Sequence, residues 1–130
     1  MNPEDYVSYP IALALKKAGF DEPCYFYYTR KDAPDDHMWH TTSEEAPIDY
    51  NRSVYAGCSM PLLSQAQKWL REKKKLHILV DFDLDGDWYY KVFPIVGCCI
   101  AEGYRGYRIY EQALSNGISD ALKFLDNENK

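Results

Sequence analysis

Apolar residues recur along this chain in separate blocks, and the period of each block predicts an element. From Tyr9 to Ala18, the residues Ile11, Ala14, Leu15 and Ala18 fall at helical spacing, with Lys16 and Lys17 in the last turn. Ser8 is placed to cap this helix, and Pro10 is tolerated in its first turn. Gly19 stands where a left-handed residue ends a helix and lets Phe20 fold back toward Leu15, while Pro23 prevents continuation. Cys24, Phe26 and Tyr28 then alternate with Tyr25, Tyr27 and Thr29, the period of a strand. The turn-forming run from Lys31 to Asp36 predicts a hairpin to a second strand at Met38 to Thr41. Residues 42–58 hold no sustained period and include Pro47, Asn51 and Gly57, so a long loop is expected there.

In the second half, Ser59 is the expected cap of a helix from Met60 to Lys74 with the stripe Leu62, Leu63, Ala66, Trp69 and Leu70. Two strands follow, with Ile78, Val80 and Phe82 on one face of the first and Trp88, Tyr90 and Val92 on one face of the second. A two-residue Asp85-Gly86 turn would send these two sets to opposite faces of the sheet. A three-residue loop, Leu84-Asp85-Gly86 with Gly86 left-handed, instead pairs Phe82 with Trp88, Val80 with Tyr90 and Ile78 with Val92. Residues 95–108 contain three glycines and are expected to be irregular or a short extension. A last helix, from Tyr110 to Leu125, carries Leu114, Ile118, Ala121, Leu122 and Leu125 on one stripe. Gly117 in its middle costs about 1 kcal/mol against alanine, which predicts a close approach to a neighbour.

The order helix, hairpin, helix, hairpin, helix predicts an α+β fold: one four-stranded, mainly antiparallel sheet with helices packed on one face. A single domain over residues 1–130 is expected, frayed at 1–5 and 126–130. The stretch from Ala18 to Cys24 (AGFDEPC), the run from Gln67 to Lys73 (QKWLREK) and Tyr110-Glu111-Gln112-Ala113 together resemble a group of short hypothetical, phage-related proteins of gut Bacteroidales. The resemblance covers most of the chain. It implies this fold and a mobile-element setting, and it supplies no catalytic residues. The chain departs from that group at Ile109, where a serine cap is common.

Charge narrows the function classes. A formal net charge of -5 gives a field that repels phosphate backbones and anionic lipid, so nucleic acid is a disfavoured partner. No apolar run approaches the roughly 20 residues a bilayer span needs, and no membrane partner is expected. The opening residues show no charged stretch followed by an apolar one, so a cytoplasmic location is expected, with Cys24, Cys58, Cys98 and Cys99 as reduced thiols. Vicinal Cys98-Cys99 is expected to be buried and structural.

Candidate chemistry is sparse, and no cofactor is expected. Asp81, Asp83, Asp85 and Asp87 match the first half of a calcium loop, but the twelfth position is Val92 in place of a bidentate glutamate, which excludes an EF-hand. The predicted register sets Asp83 opposite Asp87 with Asp81 on the same face, a like-charge arrangement that needs solvation, a cation or a basic partner to offset it. His37 and His40 fall on opposite faces of a strand and do not complete a metal site, and His77 borders a strand as a surface residue. No nucleophile motif or phosphate-binding glycine loop is present.

Twelve tyrosines exceed what one core of this size needs. Tyr25, Tyr27 and Tyr89 alternate onto strand faces away from the predicted core, where amphipathic rings suit recognition. Lys73-Lys74-Lys75 and the segment Tyr104-Arg105-Gly106-Tyr107-Arg108 mix cations with aromatics, the composition of a single-strand binder. The expected function is a small non-enzymatic protein that binds a partner or its own copy through an open sheet face. The alternative is an accessory nucleic-acid-binding protein using the lysine and arginine–tyrosine patches.

Overall fold

The structure, a computed structural model, describes residues 2–28, 38–40, 47–52 and 57–128, with the backbone alone for 38–40 and Arg105. It is mixed α+β. The helices are α1 (Tyr9–Ala18), α2 (Leu63–Lys73) and α3 (Tyr110–Glu128), and the strands are β1 (Phe26–Tyr28), β2 (Met38–His40), β3 (Cys58–Ser59), β4 (Leu76–Phe82), β5 (Trp88–Pro94) and β6 (Ala101–Tyr107). The four predicted strands all form, and β1 pairs antiparallel with β2 and β4 with β5. Each pair gains a third strand that the pattern does not show. Where one four-stranded sheet is predicted, two three-stranded sheets stand, in the orders β2-β1-β3 and β4-β5-β6. The residues form two compact units, Tyr6–Leu62 and Met1–Asp5 with Leu63–Lys130.

In the first unit, α1 has the predicted bounds. Gly19 takes φ 99°, the Gly19 amide donates to Lys16 O at 3.1 Å and the Phe20 amide donates to Leu15 O at 2.9 Å. This left-handed cap satisfies two terminal carbonyls and buries Phe20 with Leu15. Ser8 is extended but makes no side-chain capping bond. Strand β1 pairs with β2 as Phe26 to His40 and Tyr28 to Met38, and with β3 as Tyr28 to Cys58.

Parts of the predicted 42–58 loop are ordered secondary structure. Ile48 bridges Cys24, Tyr50–Arg52 makes a 3-10 turn, and Cys58 opens β3. Asn51 ties this turn down: its Nδ2 donates to Phe20 O at 2.8 Å and its Oδ1 accepts from the Ser59 amide at 2.9 Å.

Helix α2 begins at Leu63, later than the predicted Met60, and Ser59 is not its cap. Pro61 biases Met60 toward extended backbone. The Met60 amide accordingly donates to Phe26 O at 3.0 Å, prolonging the strand, and Ser59 is buried. Its hydroxyl lies beside the Cys24 thiol, whose pKa burial pushes up to about 12 against the opposing pull of that hydroxyl.

In the second unit, the β4–β5 register is the predicted one, Phe82 to Trp88, Val80 to Tyr90 and Ile78 to Val92, with Gly86 at φ 84°. Ile78, Tyr90 and Val92 are buried, but burial fades toward the turn: Phe82 is 60% exposed and rests edge-on against Trp88, which in turn meets Tyr110. Gly117 explains itself, because a Cβ there would stand 2.6 Å from Ile78 Cγ2 and 3.2 Å from Tyr90 Cδ1.

The stretch expected to be irregular or a short extension contains the seven-residue strand β6. Its Gly103 faces the other part of the same Tyr90 ring, where a Cβ would stand 2.2 Å from Cε2. Gly103, one of the two glycines that hide this strand from a propensity reading, is there because the Tyr90 ring occupies the space of a side chain, and the other, Gly106, takes φ 72°. At the ends of the described residues, Pro3–Asp5 forms a 3-10 turn and α3 runs past Leu125 to Glu128.

Candidate interaction surface

Pleating assigns the residues of β4–β5–β6 to two faces. The inner face carries Leu76, Ile78, Tyr90 and Val92, all buried, with the Tyr90 hydroxyl donating to the Asp120 carboxylate of α3. Burial raises the Tyr90 pKa first, and the Asp120 carboxylate raises it further. The outer face carries His77, Leu79 and Asp81 on β4, opposite Phe93, Lys91 and Tyr89 on β5, and Glu102 opposite Lys91 on β6.

A bulge in β6 builds the centre of the outer face. Trp88 pairs with Tyr107 but Tyr90 pairs with Gly103, so residues 104–106 exceed the length of β5 they oppose. Gly106, at φ 72°, turns the chain within this bulge. The excess carries Tyr104 over Tyr89, with ring centroids 4.9 Å apart and planes 29° from parallel. Tyr104 is 53% exposed. The Lys91 ammonium sits 5.7 Å from its ring centroid, and the contact with Tyr104 raises the pKa of that ammonium.

At the end of this face, the turn explains how its carboxylates coexist. The Asp83 amide donates to Asp87 O at 2.9 Å, confirming that the two residues are opposite. Asp83 Oδ1 accepts from the amides of Asp85 at 2.9 Å and Asp87 at 3.1 Å, and Asp81 Oδ1 accepts from the Phe82 amide at 2.8 Å. Backbone donors facing two of the carboxylates offset part of their repulsion and shape the turn. Among the described residues, no group of three or more potential ligands is placed to hold a metal ion.

The remaining candidates are dispersed. Tyr27 lies in β1 of the other sheet and Tyr25 just before that strand, so the expected set of open tyrosines does not share one face. Tyr25 is 51% exposed, while the Tyr27 ring lies 4.5 Å from that of buried Tyr50. Tyr107 is half-buried, its ring 6.0 Å from that of Tyr90, and Arg108 is exposed. The Arg105 side chain, His37 and the His40 side chain lie outside the described residues. His77 is half-buried within β4, further inside than a surface residue.

Lys74 reaches over the Trp69 ring at 5.6 Å, and Lys73 and Lys75 are exposed. Cys98 and Cys99 correct their expectation, since both are exposed whereas Cys24 and Cys58 are buried. The sequence reading missed Tyr104 as the partner of Tyr89, because only the β6 register brings them together. No helix among the described residues is long and apolar enough to cross a membrane. No family model, curated protein or solved structure matches this chain.

Proposed function

We propose that this chain is a non-enzymatic cytoplasmic binding protein that engages a protein partner, another chain or its own copy, through the outer face of β4–β5–β6. The observation that supports it is the stacked Tyr89–Tyr104 pair, half open to solvent, on a face that also carries Asp81, Asp87 and Glu102. Tyrosines bury large area at little entropic cost, and the surrounding carboxylates favour a partner segment bearing lysine or arginine. Lys91 already illustrates that recognition within the chain, lying over Tyr104. The mobile-element setting implied by the resemblance is part of the same proposal, and neighbouring phage structural or replication genes would support it.

The nucleic-acid alternative draws less support. Tyr107 is half-buried against Tyr90 and Lys74 lies half-buried over Trp69, so these two members of the patches are less open than a single-strand binder needs. The test is a photo-crosslinking residue placed at Tyr104, with a control at exposed Gln112 on α3, in the cells that make the protein. One discrete adduct at position 104 that is missing at 112 is expected. Equal adducts at both positions, or none at 104 together with a monomer by light scattering at high concentration, would overturn the reading.

A further inference from the structure

The connection from β5 to β6 runs Ile95-Val96-Gly97-Cys98-Cys99-Ile100, and every residue of it is exposed. Val96 is 90% exposed, Ile95 51% and Ile100 37%. Surface loops ordinarily carry polar side chains, and a contiguous apolar patch open to water marks a contact surface. This one has no acidic, basic or amide side chain along its length.

The start of this connection is tied to a basic segment. The Ile95 amide donates to Lys75 O at 2.8 Å, and Lys75 is exposed at φ 59° where α2 gives way to β4. Lys73, the last residue of α2, is exposed beside it, and Lys74 is half-buried.

We propose that this loop, with the lysines at its base, docks on an anionic membrane surface. An aliphatic tip entering the interface, with ammonium groups behind it at headgroup level, combines the two terms that drive interfacial binding: apolar burial and attraction to anionic lipid. Charge complementarity selects this occupant over a second copy, since the same lysine run on a facing copy would repel it. The acids that adjoin these segments in the chain are Glu72, next to Lys73 on α2, and Glu102, which stands opposite Lys91 in the β5–β6 register. The overall negative charge acts from farther away, and salt screens it beyond about 8 Å. Docking of this kind requires no spanning helix. It is also independent of the partner surface proposed above, because it uses a loop and not the sheet face.

The test is co-sedimentation of the full chain with phosphatidylcholine vesicles, with and without phosphatidylserine. Binding is expected only with phosphatidylserine, weakening as salt rises. Lys73→Gln with Lys75→Gln should weaken it about five-fold per lysine. Val96→Asp, at a position too exposed to affect folding, should abolish it.

A mutation-free readout comes from a polarity-sensitive dye on Cys98 and Cys99. Cys24 and Cys58 are buried, with pKa values pushed up to about 12 and about 11, and stay unlabelled. Its emission should shift to the blue with phosphatidylserine vesicles and not with phosphatidylcholine alone. Unchanged emission, undiminished binding of Val96→Asp, or a solution dimer that Val96→Asp disperses without any vesicle binding would each overturn the proposal.

Discussion

The two faces of the β4–β5–β6 sheet use tyrosine in opposite ways. On the inner face, Tyr90 is 5% exposed, with Gly103 of β6 and Gly117 of α3 set against its ring and its hydroxyl bonded to Asp120. Neighbouring Tyr89, one residue away on the outer face, is half-buried and stacks on the ring of Tyr104, which is itself 53% exposed. One side chain type thus serves as a core residue with a satisfied polar tip and as a half-open surface residue that the proposed function uses for recognition. What separates the two uses is whether glycine has been placed to receive the ring.

The comparison can be broken most forcefully from the inside. Gly103→Val would set a branched side chain into the Tyr90 ring, which α3 backs at Gly117 and which cannot retreat. A loss of about 3 kcal/mol is expected by denaturant unfolding, the upper end of overpacking costs. Little change would show that the ring has room to move.

A smaller effect, about 1–2 kcal/mol, is expected for Tyr90→Phe, which leaves the Asp120 carboxylate without its donor. The same variant has a pH signature. Because the folded state raises the Tyr90 pKa, the unfolded state releases this proton first as pH climbs. The stability contribution is therefore complete below the unfolded value of about 10 and is lost above it. Unfolding midpoints of the wild type should fall above that pH more steeply than those of Tyr90→Phe; parallel curves would remove Tyr90 as the cause.

What could be read in advance follows from the range of the interactions. The α1 cap, the three-residue turn and the β4–β5 register are local, set by Gly19, Gly86 and period-two alternation, and the sequence carries them openly. Gly117 also pointed to a close approach before any neighbour was known. In contrast, β6 is hidden because Gly103 answers to Tyr90, a residue on another strand, and Gly106 to the left-handed backbone of the bulge. Asn51, which joins Phe20 and Ser59, sits in a stretch with no period at all. Ser59 looked like a helix cap, but Pro61 and pairing with β1 drew it into a strand. The surface was legible in part: Tyr89 by alternation, Tyr104 as one member of a basic, aromatic run whose pairing partner required the bulge.

The smallest stability effect carries the central claim that the outer tyrosines are held for binding and not for the fold. The direct measurement is the denaturant unfolding of the double variant Tyr89→Ala/Tyr104→Ala. Loss of one partly exposed ring pair predicts a change of about 1 kcal/mol with an unaltered slope. A loss of several kcal/mol, comparable to that of Gly103→Val, would place these rings in a core and contradict the account.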